Sequence, residues 1–477
     1  MDATGCWLTI KQIPIFRASR KPIGRPRVIL GFMTNPPPNN AGNPLPPDNS
    51  TPAWHDFVNR HPLARDALTL IGGTGAAQAI TLLAYLFLAR IYDDTAFGML
   101  ALVLSIGTLL TTVAAARYEP AIMLPEEDRE AKTLVAACIK LLGWFSLAVF
   151  VIAALAFFLA HSSAPVFAPL LWMLAFVVLS GALTSVWTYW LNRKGRYRAI
   201  SLNRVQSSSV SALAPIFFGL AGWTSAFALV LGRLLGMITG ALGLAWRARD
   251  SRFSFEEDRG SQRQILRKYR KMPLLNAPAA IADAVRINGI NIMLGWYFSA
   301  AVLGQFSLAW QIVQAPLALI NGALAQVYFR ELSRTKPGGM RLAVGRITGR
   351  SLLIGLLPFG LLAGLSWWLF PFLFGSNWGL AGTIAQILTP WLYLNLATSP
   401  ISTVFIVTGR QGVALPFALV FMAVPLGLIF LSSVVNWSIL VTIGAVSAAM
   451  AAMLVVYIFL ALWVAAGFDR GQTAVGE

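Results

Sequence analysis

From Arg65 to about residue 466 the chain alternates long apolar windows with short polar breaks. Each window runs roughly 20 residues or more, the length a helix needs to span about 30 Å of hydrocarbon at 1.5 Å per residue. The windows predict about twelve helices, over 67–90, 97–117, 133–160, 166–191, 200–221, 224–246, 272–298, 302–329, 350–374, 382–408, 412–433 and 438–466. Helices are required because backbone groups in lipid must be satisfied within the segment. A transmembrane β-barrel would instead show short alternating strands, and none are seen.

Composition agrees with lipid as the solvent. The 477 residues are 57% hydrophobic and only 12% charged, and mean hydropathy is +0.67. Soluble domains carry roughly 25% charged residues, so a chain like this could build a core but could not cover it in water. The net charge of +18 does not point to nucleic acid, because the basic residues sit between helix-length apolar runs and form no continuous patch. Cys6 and Cys138 are too few for a disulfide framework or a zinc site, and His55, His61 and His161 lack metal-ligand spacing. No cofactor or metal is expected.

Charge also sets the expected orientation. With the N-terminus inside, 32 of the 37 Lys and Arg fall in the two tails and the inner loops, against one, Arg90, in the outer loops. Both termini are therefore expected on the cytoplasmic side. The outer connections, such as Ala221-Gly222-Trp223 and Gly375-Ser376-Asn377-Trp378, leave no room for an external catalytic domain. The expected organisation has a disordered, Pro- and Asn-rich cytoplasmic extension over 1–64 and a six-helix bundle over 65–248. A cytoplasmic linker over 249–271, a second six-helix bundle over 272–466 and a tail over 467–477 complete it. Met33 offers an alternative start that would leave residues 1–32 untranslated, and the basic N-terminal run lacks the apolar stretch and cleavage site of a signal peptide. The two halves echo each other: Ala96-Phe97-Gly98-Met99-Leu100-Ala101-Leu102 follows the first helix and Val302-Leu303-Gly304-Gln305-Phe306-Ser307-Leu308 follows the seventh, with Gly98 matching Gly304. Two like-oriented bundles around a central cavity are a common transporter architecture, giving an all-α membrane protein as the expected fold class.

Charges inside a membrane cost about 2.5–3.5 kcal/mol each on insertion scales and are candidate functional residues by default. This chain has Lys140, Arg204, Arg233, Asp283 and Arg286 within its windows. If they face one cavity, it is cationic and suits an anion such as a diphosphate, which Arg binds in bidentate fashion. Asn276, Asp283 and Arg286 fall within about an 80° arc of the seventh helix. Asp283 and Arg286, three apart, can pair. The pair reads either as an ion pair holding the helix in place or as a phosphate-binding Arg286 beside an ion-coupling Asp283. Arg204 shares a face with Ser208 and Ser211, and both Arg204 and Lys140 lie near enough to a helix end to snorkel. Arg233 sits deep among Leu and Gly. Uncharged stripes such as Thr74 with Gln78, or Gln314 with Asn321, more often bond neighbouring helices than ligands. The carboxylates Glu119, Glu126, Glu127, Asp128 and Glu130 share a loop with Arg117, Arg129 and Lys132, which suits a salt-bridged gate or solvated face better than acid/base catalysis.

Several of these segments are similar to a known family. The run from Ala89 to Gly98 resembles the first periplasmic turn of polysaccharide-export flippases of the Wzx type. The loop Arg117-Tyr118-Glu119-Pro120-Ala121-Ile122-Met123-Leu124-Pro125-Glu126 resembles their Arg-Tyr-Glu-x-Ala-Ile-x-Leu-Pro motif, and Lys268-Tyr269-Arg270 with Pro273 resembles the start of their second half. The resemblance covers nearly everything after residue 65. It implies a fold shared with multidrug exporters of the MATE type and with lipid II flippases, in a bacterial inner membrane. It implies alternating access around a cationic cavity, and a polyprenyl-diphosphate-linked oligosaccharide as cargo amid membrane lipids. Arg204, Arg233 or Arg286 would be the cavity cations and Arg117, Tyr118 and Glu119 the loop motif. Polysaccharide polymerase and glycosyltransferases are the protein partners such a role calls for. Lipid II flippases have fourteen helices, and this chain lacks room for two more.

Two rival readings fit the chain less well. A cation-coupled drug exporter of the same fold should have an acidic or aromatic cavity, against which stand four bases and one acid. A membrane glycosyl-transfer enzyme or polymerase needs a sizeable outer loop with catalytic groups, which the chain lacks.

Overall fold

The computed structural model describes residues 62–160, 168–249, 259–335 and 338–473, which are helical almost throughout, with no strand among them. The first 61 residues, which make up nearly all of the extension expected to be disordered, and the acidic run Glu256-Glu257-Asp258 lie outside the described residues. In chain order the first half holds α1 (Pro62–Ile91), α2 (Asp94–Ala114), α3 (Asp128–Ala160), α4 (Ala168–Arg193), α5 (Tyr197–Leu220) and α6 (Ala226–Ala248). A short α7 (Arg259–Lys268) leads to α8 (Lys271–Tyr297), α9 (Ala300–Arg334), α10 (Met340–Phe374), α11 (Gly379–Ile401), the single turn α12 (Val404–Val407), α13 (Gln411–Val435) and α14 (Ile439–Thr473).

Leaving out α7 and α12, every helix matches an expected window. Eight of them, α1, α2, α3, α4, α6, α10, α13 and α14, are long and apolar enough to cross a membrane. Helices α5 and α11 fall short because Asn203, Arg204 and Gln206 interrupt one and Gln386 and Asn395 the other. The window expected over 382–408 is broken: α11 ends at Ile401, past Pro390 and Pro400, and α12 is a separate turn. A proline has no N–H to continue the ladder, and Ser402 and Thr403 turn their hydroxyls back onto the carbonyls of Ser399 and Pro400. At the other extreme, α14 runs through most of the expected tail to Thr473.

Short connections make consecutive helices antiparallel, so the molecule has two ends. One carries the tight turns α1–α2, α5–α6, α8–α9 and α10–α11, and is called the closed end below. The other carries the Lys- and Arg-rich loops and is the basic end. Side-chain caps start the helices at the closed end: Asp93 accepts from the Ala96 amide at 2.8 Å, and Ser225 and Ser299 cap α6 and α9 in the same way.

Within the first bundle α1 packs on α5, α5 on α6, and α4 on both α3 and α6; within the second, α11 packs on α9, α10 and α14, and α13 on α8 and α14. The bundles meet mainly through α2, which lies against α8 and α9. Here the two glycines matched in the sequence face each other. A methyl group on Gly98 would overlap the Ala300 carbonyl oxygen, and one on Gly304 would overlap that of Asp94. Small residues let two backbones approach this closely, which is how helices associate where lipid removes the hydrophobic incentive.

The closed end is stitched further across the bundles. Gln305 donates to the Asp94 carboxylate at 3.0 Å and the Asn377 carbonyl at 2.8 Å, and accepts from the Ala381 amide. Buried Trp378 donates to the Ala89 carbonyl at 2.7 Å, and Arg90 reaches the carbonyls of Phe372 and Leu373. Asn291 donates to Ser105 at 2.8 Å farther down the seam. The cores tell the same story. One apolar cluster runs through both bundles on the closed-end side, whereas the basic end has two: one in the first bundle around Trp190 and Leu134, and one in the second around Phe405 and Val344. The bundles are joined at one end and packed separately at the other.

Replacing Gly98 or Gly304 by Val should therefore part the seam. In a background lacking Cys6 and Cys138, a Ser105→Cys reporter, whose parent serine is 3% exposed, should react severalfold faster with a soluble maleimide once either valine is present. Equal labelling rates would show that the seam does not depend on the glycine crossing.

Candidate functional site

The second bundle holds a half-open cavity of about 800 Å³ between α8, α11, α13 and α14. Pro278, Ala282, Asp283 and Arg286 of α8 form one wall; of the expected stripe Asn276, Asp283 and Arg286, the last two line it. Arg286 donates to Asp283 at 2.7 Å, and its guanidinium lies 5.3 Å from the centre of the Phe421 ring. The Arg286 side chain is 19% exposed and that of Asp283 63%, so the acid can leave the pair for water far more readily than the base can. Asn395 and Ser399, one turn apart on α11, line the cavity with side chains that have no hydrogen-bond partner among the described residues. Opposite them lies an apolar wall of Phe417, Phe421, Met422, Leu454 and Tyr457. The space thus holds a clamped cation, two free polar groups and a greasy face, a combination suited to an amphiphile with a negative head.

The other expected cations are elsewhere. Arg233 lines a separate pocket in the first bundle. Arg204 stands exposed on α5 and donates to Thr74 of α1 at 2.6 Å. Lys140 donates to Gln262 of α7 at 3.0 Å, so it anchors the linker helix to α3. Asn276 is on α8, but its side chain lies outside the described ones. The structure thus joins Arg286 with Asp283 and distributes the remaining charges over both bundles; the described cavities do not gather them into one. Sequence reasoning missed Asn395 and Ser399. The signal was there, a polar pair four apart inside an apolar window, but such pairs are common and only the fold shows which ones face a cavity.

The loop of Arg117, Tyr118 and Glu119 is built at the basic end. Ala116 and Arg117 both take left-handed backbone, with φ of 49° and 60°, a conformation that costs non-glycine residues energy and persists only where the surroundings enforce it. It is followed by a 3-10 turn, Glu119–Met123, under which Ile122 and Ala121 are fully buried. Tyr118 donates to the Leu266 carbonyl of α7 at 3.1 Å. Asp128 pairs with Arg193 and Lys194, and Glu130 with Lys268, as a salt-bridged face would. Glu119 differs from that expectation. It is 3% exposed, and its Oε2, like the nearby Nε of Arg117, has no hydrogen-bond partner. Burial pushes its carboxyl above the ordinary range, opposed only in part by a backbone hydrogen bond and by Arg117.

The fold and this cavity define a class: a multi-pass helical membrane protein of two packed bundles with a polar chamber at membrane depth. The chain belongs to the polysaccharide biosynthesis protein family, whose sequence pattern it matches over residues 87–381. Among solved structures it is similar to lipid II flippase MurJ in an inward closed conformation, at TM-score 0.64 and 11% identity, covering 85% of this chain and 90% of that one. It is also similar to a multidrug resistance MATE family transporter of the MOP superfamily in an inward-facing conformation, at TM-score 0.54 and 17% identity, over 85% and 94% of the two chains. At these identities the likeness is one of fold. No curated protein matches the chain. Both neighbours are transport proteins by description, one a lipid flippase and the other a multidrug transporter.

The buried Glu119 gives a signed expectation. A carboxyl raised in the folded state holds a proton that the unfolded chain has released. Its favourable contribution is complete below the unfolded pKa and is lost as pH rises through the folded one. Melting temperature of the purified protein should fall over that window, and Glu119→Gln, which keeps the shape and removes the ionisation, should flatten this component. A Glu119→Gln protein with the same pH slope as the wild type would show that Glu119 is not the group responsible.

Proposed function

We propose that this protein is a flippase that moves a polyprenyl-diphosphate-linked oligosaccharide across a bacterial inner membrane by alternating access. The observation that supports the reading most directly is the chamber around Arg286. Its cation sits beside an apolar wall, as a lipid-borne diphosphate requires, and Asn395 and Ser399 offer free polar contacts for sugar hydroxyls. Five N–H donors on a rigid guanidinium leave Arg286 able to take phosphate oxygens while Asp283, the more exposed partner, yields its place. Arg204 serves as a second phosphate contact on the first bundle, and Asp283 as the group that couples movement to an ion. The basic end, with its loops of Lys and Arg, faces the cytoplasm in this reading. Bundles joined at one end and packed separately at the other would then form the inward-facing partner of an alternating pair. The matched family, named for polysaccharide biosynthesis, and the fold shared with a lipid II flippase and a multidrug transporter are in keeping with this cargo.

The measurement is transbilayer movement of a labelled lipid-linked oligosaccharide in reconstituted vesicles. Arg286→Ala should slow it about tenfold or more, the value of one or two charge-assisted hydrogen bonds, with Arg286→Lys intermediate. Unimpaired movement with both Arg286→Ala and Arg204→Ala in place would reject the phosphate role of these cations. Asp283→Asn should abolish whatever pH or sodium dependence the wild type shows, and an unchanged dependence would remove Asp283 from coupling.

A further inference from the structure

The first bundle contains a small pocket of its own, lined by α1, α2, α5 and α6, and the cargo reading leaves it unused. Arg233 enters it from α6, seven residues past Ala226, so about 10 Å below the closed end. The surrounding polar groups are hydroxyls: Thr81 and Tyr85 of α1, Ser208 and Ser211 of α5. Thr81 already donates to the Ala77 carbonyl. Arg233, Tyr85, Ser208 and Ser211 have no hydrogen-bond partner among the described residues, and no carboxylate lines the pocket. The remaining walls are apolar, including Leu88, Phe97, Leu100, Pro215 and Leu229.

A guanidinium stays charged at any pH the protein meets, so an Arg held at membrane depth without a counter-charge is expensive. Something must offset it, and the pocket offers donors for an acceptor-only guest. Its free space is about 20 Å³, enough for one or two water-sized species, and too little for a diphosphate carrying a sugar. We propose that this pocket is a binding site for one small monovalent anion of the chloride class, held by Arg233 and the hydroxyls of Tyr85, Ser208 and Ser211. The site is distinct from the Arg286 chamber and does not depend on the identity of the cargo. It also adjoins the seam between the bundles. Phe97, one of its walls, packs against Tyr85 with ring centres 5.8 Å apart and against Trp378 of the second bundle at 5.0 Å. An anion that fixes Tyr85 therefore supports the ring through which Trp378 is seated.

The test is equilibrium binding of radiolabelled chloride to the purified full-length chain in detergent, with gluconate keeping ionic strength constant. Saturable binding, displaced by bromide and not by gluconate, is expected. Arg233→Gln should weaken it about tenfold or more, one charge-assisted hydrogen bond's worth, and Arg286→Gln should leave it unchanged. Should Arg233→Gln fail to elute as a folded species, the double variant Ser208→Ala with Ser211→Ala decides: weakened chloride binding supports the site, and wild-type affinity overturns it. Absence of saturable chloride binding in the wild type also overturns it, as does loss through Arg286→Gln with Arg233→Gln unaffected. Displacement by inorganic phosphate at concentrations where bromide fails would make the pocket a phosphate subsite and refute the halide assignment.

Discussion

The crossing of α2 over α9 is the contact on which the architecture turns. Two helices in lipid gain nothing from hiding apolar surface, since acyl chains are as apolar as leucine, so their association rests on close packing and on polar groups that have nowhere else to go. At Gly98 and Gly304 the backbones come near enough that even a methyl group has no room. Around that point, Gln305 spends both ends of its amide on backbone and carboxylate partners drawn from α2 and the α10–α11 turn. The bond from Gln305 to the Asp94 carboxylate would be lost if the bundles parted here, which costs more than the same loss in water. The geometry of everything below the crossing, including which chambers are open, is inherited from it.

The two halves use their related positions differently. In each, the first helix contributes polar groups to a pocket at membrane depth: Thr81 and Tyr85 on α1, Asp283 and Arg286 on α8. The first bundle has closed around a space the size of a solvent molecule, with its cation uncompensated by any acid. The second has opened into a chamber large enough for part of an amphiphile, with its cation held by a neighbouring acid. The walls also differ in proline: α8, α11 and α13 each contain one or two inside the helix, whereas the small pocket is lined by Pro215 of α5. Interrupted ladders let helices bow away from one another.

Much of the fold could be read from the chain because lipid imposes a simple rule: apolar windows of spanning length become helices. All the long helices fall on such windows, and the glycine match that suggested a repeat proves to be the contact between the repeats. The break after Ile401 was hidden because the window stays apolar through Val404 to Val407, and hydropathy is blind to a missing N–H. The site was less legible. Charges within windows can be picked out one by one, but their grouping depends on helix rotation and on which bundle faces which. Arg286 with Asp283 was recoverable from spacing alone because both lie on one helix. The separation of Arg233 from Arg286 was not, since it is a relation between α6 and α8. The burial of Glu119, expected with its neighbours in a salt-bridged gate or solvated face, is hidden for a related reason: it follows a turn with left-handed residues at Ala116 and Arg117, and sequence gives no warning of that backbone.

The long segment between α6 and α8 looks in sequence like a generous tether. In the fold, α7 is fastened to the first bundle by Lys140 through Gln262, by Tyr118 through the Leu266 carbonyl, and by Glu130 through Lys268. Only Tyr269 and Arg270 lie between the end of α7 at Lys268 and the start of α8 at Lys271, and Tyr269 is itself tied to Glu130 through its hydroxyl. Two residues reach only about 7 Å when extended. The leash on α8 is thus far shorter than the chain length between the bundles implies, and its basic end must pivot about a nearly fixed point rather than swing clear.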